Sequence, residues 1–156
     1  MTIASTVFSA LDRSSVEYDI LNHPRSATSS QAAESAHITG DQIAKAVVLK
    51  DPYGYVLAVL PATFELELDV VRKELHRNLE LATEDELESL FFDCDRGAVP
   101  PLGPDYGLPT VVDDVLCEQS DIYFEAGDHE GLVHVSETAF EQLVRDAEYF
   151  RFSSHR

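Results

Sequence analysis

Lys45 lies inside the apolar run Ile43-Ala44-Lys45-Ala46-Val47-Val48-Leu49, and half the chain later comes a glycine-proline loop, Gly97-Ala98-Val99-Pro100-Pro101-Leu102-Gly103. An ammonium among apolar neighbours costs desolvation free energy unless polar or anionic groups meet it. Lysine is scarce, occurring only as Lys45, Lys50 and Lys73, so the position asks for a chemical reason. The structural alternative is a strand lysine whose stem covers apolar surface while its head reaches water. In the loop, Gly97 allows close approach or a positive φ, and Pro100 and Pro101 stiffen its second half. The backbone N–H groups of Gly97, Ala98 and Val99 would then serve as donors to a carbonyl oxygen that gains negative charge during ester cleavage.

Other chemistries lack their markers. No G-x-S-x-G elbow and no G-x-x-x-x-G-K phosphate loop occurs in the sequence. Cys94 stands between Asp93 and Asp95, a setting that opposes a thiolate. Cys94 and Cys117 form no C-x-x-C or zinc spacing and are expected as free thiols. His129 and His134 flank a tight connection, but without a third suitably spaced ligand they predict no metal site. Asp113-Asp114 are adjacent, so only one can face a given pocket.

The elements that must position these residues can be read from periodicity. Ile3, Val7, Phe8 and Leu11 predict a helix over residues 2–13, then a strand at 16–21. His23-Pro24 breaks regular structure before a capped helix at 31–36. Residues 46–50 and 55–60 read as a hairpin around Asp51-Pro52-Tyr53-Gly54. A helix from Leu66 to Leu75 and a brief strand at 79–82 come next. Thr83 and Glu86 have capping-box spacing, with Leu87 and Leu90 inward and the remaining acidic face solvated. Residues 108–113, 121–126 and 131–135 read as strands, and Ser136 caps a last helix burying Phe140, Leu143 and Val144. The tail from Tyr149 reads as frayed or packed. The mixture without βαβ alternation predicts an α+β fold, one domain over residues 1–156 with a curved, partly closed mixed β-sheet flanked by helices.

At 156 residues one domain suffices. The net charge of −18 argues against coating duplex DNA, while leaving room for a pocket in which Lys45, Arg25 and Arg96 act locally. No apolar stretch reaches membrane-span length, and the first residues lack the pattern of a secretory signal. The expectation is a cytoplasmic protein without a membrane partner.

The ordered blocks Ile43-Ala44-Lys45-Ala46-Val47-Val48, Leu57-Ala58-Val59-Leu60-Pro61-Ala62, the Gly97 loop, Leu108-Pro109-Thr110-Val111-Val112-Asp113 and Ala126-Gly127 resemble the YbaK/ProX family over about residues 16–145. That family comprises aminoacyl-tRNA deacylases, free-standing or inserted in prolyl-tRNA synthetases. The resemblance implies a trans-editing ester hydrolase acting on a mischarged tRNA that carries a small amino acid. It implies no cofactor, the tRNA acceptor end as partner, and a synthetase as a further partner. It also implies that Lys45 holds the acceptor end and that the G-x-x-x-P loop, Gly97 with Ala98, Val99 and Pro101, grips the aminoacyl carbonyl. Asp113 and Gly127 match positions near the pocket, and His23 and His129 its rim. Pro104-Asp105-Tyr106-Gly107 and Asp128-His129 depart from the cysteinyl-clearing branch, which is basic at both places. Two further readings stay open: a non-catalytic module binding an acceptor end or a synthetase, suggested by the acidity, and a Schiff-base enzyme with Lys45 as nucleophile.

Overall fold

The computed structural model describes residues 3–22 and 38–155. His23, Arg25 and the helix expected at 31–36 lie outside the described residues. The first helix, α1, spans Ser5–Ser14 and begins three residues later than its periodicity predicts. Its start is set from a distance, because Ala4 has no capping side chain and Asp93 accepts from Thr6 N at 2.9 Å instead. Val7, Ala10 and Leu11 are buried, whereas Phe8, expected inward, remains about half exposed. The next element, strand β1, is Asp19–Asn22.

The hairpin forms as expected, with β2 (Ala44–Asp51) antiparallel to β3 (Gly54–Pro61). Asp51 accepts from Tyr53 N and Gly54 N within the turn, and a two-pronged pair with Arg77 anchors it to the rest of the chain. Leu66 does not open the next helix. It ends a short strand, β4 (Phe64–Leu66), ahead of α2 (Leu68–Leu75). After β5 (Glu80–Leu81), Thr83 and Glu86 close a capping box at the start of α3 (Glu84–Leu90). Glu86 also accepts from Lys50 Nζ at 2.8 Å and Tyr55 Oη at 2.6 Å. The helix expected to be solvated on its acidic face is thus bolted to the hairpin.

The second half supplies β6 (Thr110–Asp113), β7 (Asp121–Glu125), β8 (Gly131–Ser136) and α4 (Glu137–Leu143), whose cap is Ser136 Oγ accepting from Ala139 N at 3.1 Å. The tail is not frayed. It contributes β9 (Glu148–Phe150), parallel to β6, and β10 (Ser153–His155), antiparallel to β4, with Phe152 fully buried between them.

A mixed five-stranded sheet runs β5-β2-β3-β6-β9, and a three-stranded sheet runs β1-β8-β7. A parallel bridge between Ile43 and Tyr123 joins β7 to the start of β2. The result is an α+β fold whose sheets curve together without closing. Its main core packs Ala44, Val48, Leu57, Val59 and Val112 from one face of the large sheet against Phe124, Val133, Val135, α1 and α4. The opposite face, with Leu49, Val56, Ala58, Leu60 and Val111, packs on α2, Phe64 and Phe152. Alternation along β2 therefore sets Lys45 on this second face.

Candidate functional site

The Gly97 loop leaves α3 through buried Phe91 and is tied to the β7–β8 turn. Asp95 N donates to Gly127 O at 2.7 Å, and the His129 Nε2–H donates to the carbonyl of Arg96. Gly97 is exposed with φ of +83°, and Gly127 has φ of +99°. At Gly127 a Cβ would lie 2.8 Å from Ala4 Cβ and 3.2 Å from Cys94 Sγ, so both backbone angle and space demand glycine. His129 also holds a left-handed backbone, φ +62°, which turns its ring toward the Gly97 loop.

The two turns bring together Gly97, Ala98, Val99, Gly127 and His129 from the sequence prediction. The expected donor set changes in one respect: Ala98 N is already spent on Asp95 O at 3.1 Å. Among the described residues Gly97 N and Val99 N meet no backbone acceptor, which leaves two donors of the expected three. Pro100 and Pro101 are buried and stiffen the loop from below. With its Nε2 proton directed at Arg96 O, neutral His129 would have a bare Nδ1, which is buried without a partner among the described residues.

Lys45 stands on β2, on the face of the large sheet that packs against Phe64. Half-buried, it donates from Nζ to Phe64 O at 2.8 Å, so a carbonyl supplies part of the polar environment its position demands. Asp113 lies on the same face of the large sheet but is fully buried, and backbone and hydroxyl donors occupy its carboxylate. Its Oδ2 accepts from Phe152 N at 3.0 Å and Ser153 Oγ at 2.5 Å, and its Oδ1 accepts from Val115 N at 2.9 Å. Ser153 begins β10, β10 pairs with β4, and β4 presents the carbonyl that Lys45 uses. Asp113 is thus linked to the Lys45 contact through the tail strand.

Sequence reasoning missed Glu125. The parallel bridge pairs Ile43 with Tyr123, and Glu125 lies two residues further along β7, on the same side of the strand as Tyr123. Glu125 is buried, and its alternation with Ile122 and Phe124, which marks a solvent face in sequence, carries no sign of that.

The cleft at these loops, lined by residues that include Glu84, Asp95, Arg96, Gly97 and Val99, is narrow, holding about 10 Å3. A groove of about 840 Å3 lies elsewhere, beside β8, with Asp19, Asp121 and His134 in its wall. Its size is a property of the open surface, and none of the paired turns borders it. Burial, the largest cause, and the neighbouring aspartates push the Cys94 thiol up to about 12, which removes it as a nucleophile. Arg96 is exposed and faces Glu84 and Glu88 at 3.5 and 3.4 Å. Among the described residues no cluster of His, Cys, Asp and Glu is placed to hold a metal ion, and no helix is long and apolar enough to cross a membrane.

Comparison with solved structures returns the same fold over nearly the whole chain. A candidate trans-editing enzyme for prolyl tRNA synthetase superposes with a TM-score of 0.81 at 21% identity, covering 98% of this chain and 99% of the other. A hypothetical protein gives 0.84 at 20% identity, covering 96% and 100%. A candidate signal transduction protein from Marinobacter aquaeolei VT8 gives 0.79 at 21% identity, covering 97% of this chain and 31% of that longer one. No curated protein matches the sequence. A family model of the aminoacyl-tRNA editing domain matches residues 23–143, the span that contains Lys45 and both glycine turns, and the chain belongs to that family, the YbaK family of tRNA-editing domains.

Proposed function

We propose that the protein is a trans-editing deacylase that hydrolyses the ester of a mischarged tRNA carrying a small amino acid. The observation that carries this reading is the pairing of the Gly97 loop with the Gly127 turn, in which Gly97 N–H and Val99 N–H meet no backbone acceptor among the described residues. In this reading Lys45 binds phosphate or polar groups of the acceptor end, and the two amides stabilise the oxyanion. Water attacks the carbonyl carbon, the ester C–O bond breaks, and the ribose oxygen leaves with a proton. The substrate's own 2′-hydroxyl orients the water, so positioning and electrostatics replace a protein nucleophile. Ala98, Pro101, Gly127 and His129 shape the pocket, Asp113 holds Lys45 in place, and His23 belongs to the rim.

With a net charge of −18, the surface gives little general attraction to tRNA, and a synthetase that presents the acceptor end fits that deficit. The test is hydrolysis of tRNAs mischarged with alanine, serine, threonine, cysteine or proline, beside Lys45→Ala. Cleavage of one or a few of these, lowered at least about 100-fold by Lys45→Ala, is expected if transition-state contacts are lost. Equal hydrolysis by both proteins would overturn the assignment. Binding of acceptor ends without turnover would favour a recognition module.

A further inference from the structure

We infer that Glu125 is the residue that receives the substrate's α-ammonium group, and hence a determinant of selectivity for aminoacyl over other acyl esters. The inference rests on the deacylase reading and adds a ligand for a group that reading does not use.

Glu125 closes β7, two residues before Gly127, whose carbonyl accepts from Asp95 N of the segment leading into the Gly97 loop. It is 4% exposed, and its Oε2 is buried with no hydrogen-bond partner among the described residues. A carboxyl group so placed is an unfavourable choice for folding, because a buried acceptor without a donor forfeits its hydration. A leucine or glutamine would serve the strand better. Asp128, across the turn, directs Oδ1 at Glu130 N (3.0 Å) and Gly131 N (2.8 Å) and adds negative charge nearby. Burial first, and then Asp128, raise the Glu125 carboxyl to about 8, so near neutral pH it holds a proton that an arriving cation would displace.

The deacylase reading divides the substrate by charge. Lys45 answers anionic or polar parts of the acceptor end, Gly97 N–H and Val99 N–H face the carbonyl, and the α-ammonium is the cation left to place. An ammonium supplies the donor that Oε2 lacks and brings a positive charge to a place where two carboxyl groups lie close together.

The test uses two non-hydrolysable 3′-amide analogues of the charged adenosine, one alanyl and one isobutyryl, in which a methyl replaces the ammonium at nearly equal size. At pH 7, below the ordinary α-amino pKa of about 7.7–8.0, the wild-type protein is expected to bind the alanyl analogue at least about 10-fold more tightly, as one paired charge allows. Glu125→Gln should bring the two within about twofold by weakening only the alanyl form, and Glu125→Asp should keep part of the preference. Equal binding of the two analogues by wild type, with mischarged tRNA still cleaved, would overturn the role of Glu125 and leave the deacylase assignment standing. Failure to bind either analogue, with no cleavage of any mischarged tRNA, would overturn both.

Discussion

Asp121 and Glu125 open and close the same strand, β7, on the same face, and the two carboxylates meet opposite environments. Asp121 is partly exposed, and His134 Nε2 lies 2.8 Å from it while His134 Nδ1 lies 3.2 Å from Asp19. Both imidazole nitrogens face carboxylates, so the protonated ring fastens β1 to β7 across β8, and stacking on Tyr123 holds its plane. The hydrogen bond from His134 lowers the Asp121 carboxyl below the ordinary range, and the same contact raises the imidazole. At the other end, Glu125 has no partner for Oε2 among the described residues, and burial pushes it up to about 8. One end of the strand uses its charge to hold the strands of its sheet together. The other keeps a costly group that folding does not explain, and that contrast marks Glu125 for function.

Asp113 sharpens the contrast, because it is more buried than Glu125 yet accepts three hydrogen bonds. Asp113→Ala should therefore give the largest loss, about 3–4 kcal/mol in urea unfolding, since Phe152 N–H and the Ser153 hydroxyl are left buried and unpaired. A loss under about 1 kcal/mol would show the tail to be held by apolar packing alone.

Glu125→Gln should do the reverse. The folded-state value of about 8 lies above the ordinary 4.5. Between those values the folded protein keeps a proton that the unfolded chain has released, so stability falls as pH rises through that window. The variant should flatten this fall and be more stable than wild type by about 3 kcal/mol at pH 8, with little difference at pH 4. Parallel stability curves from pH 4 to 8 would mean that Glu125 is solvated or paired.

Gly127→Ala strikes the turn just past Glu125. The strained φ and the contact with Ala4 predict a loss of about 2 kcal/mol, and displacement of the Gly97 loop should lower deacylation along with it. Full activity with lowered stability would uncouple the two turns.

The smallest effect belongs to His134→Gln. The raised imidazole contributes its full stabilisation below its unfolded value of 6.5 and loses it as pH rises through the raised folded value. Solvent screens the pair, so a Tm difference of roughly 1–2 °C at pH 6 is expected, vanishing at alkaline pH.

Local signals were legible wherever their physics is local. The Asp51 turn, the Thr83–Glu86 capping box and the Ser136 cap each involve neighbours within a few residues, and all three form. Lys45 and the Gly97 loop stood out by composition, and the family blocks by order. The starts of α1 and α2 were misjudged because their determinants are remote: Asp93 caps α1, and pairing with β10 draws Leu66 into a strand. Phe8 fits the helical period but finds no surface to cover it.

The sequence alone carried the family, the hairpin, the caps of α3 and α4 and the two chemical landmarks, because each is encoded by residue type at short spacing. Tertiary structure alone decided that Ala98 N–H is spent and that Asp113 serves the tail strand. It also decided that Arg96 faces acidic side chains and that Glu125 is buried without a partner for Oε2 among the described residues. The physical reason is shared by all four. Whether a donor is free or a carboxylate hydrated depends on what lies across the fold, and strand alternation says which residues share a side without saying which side meets water.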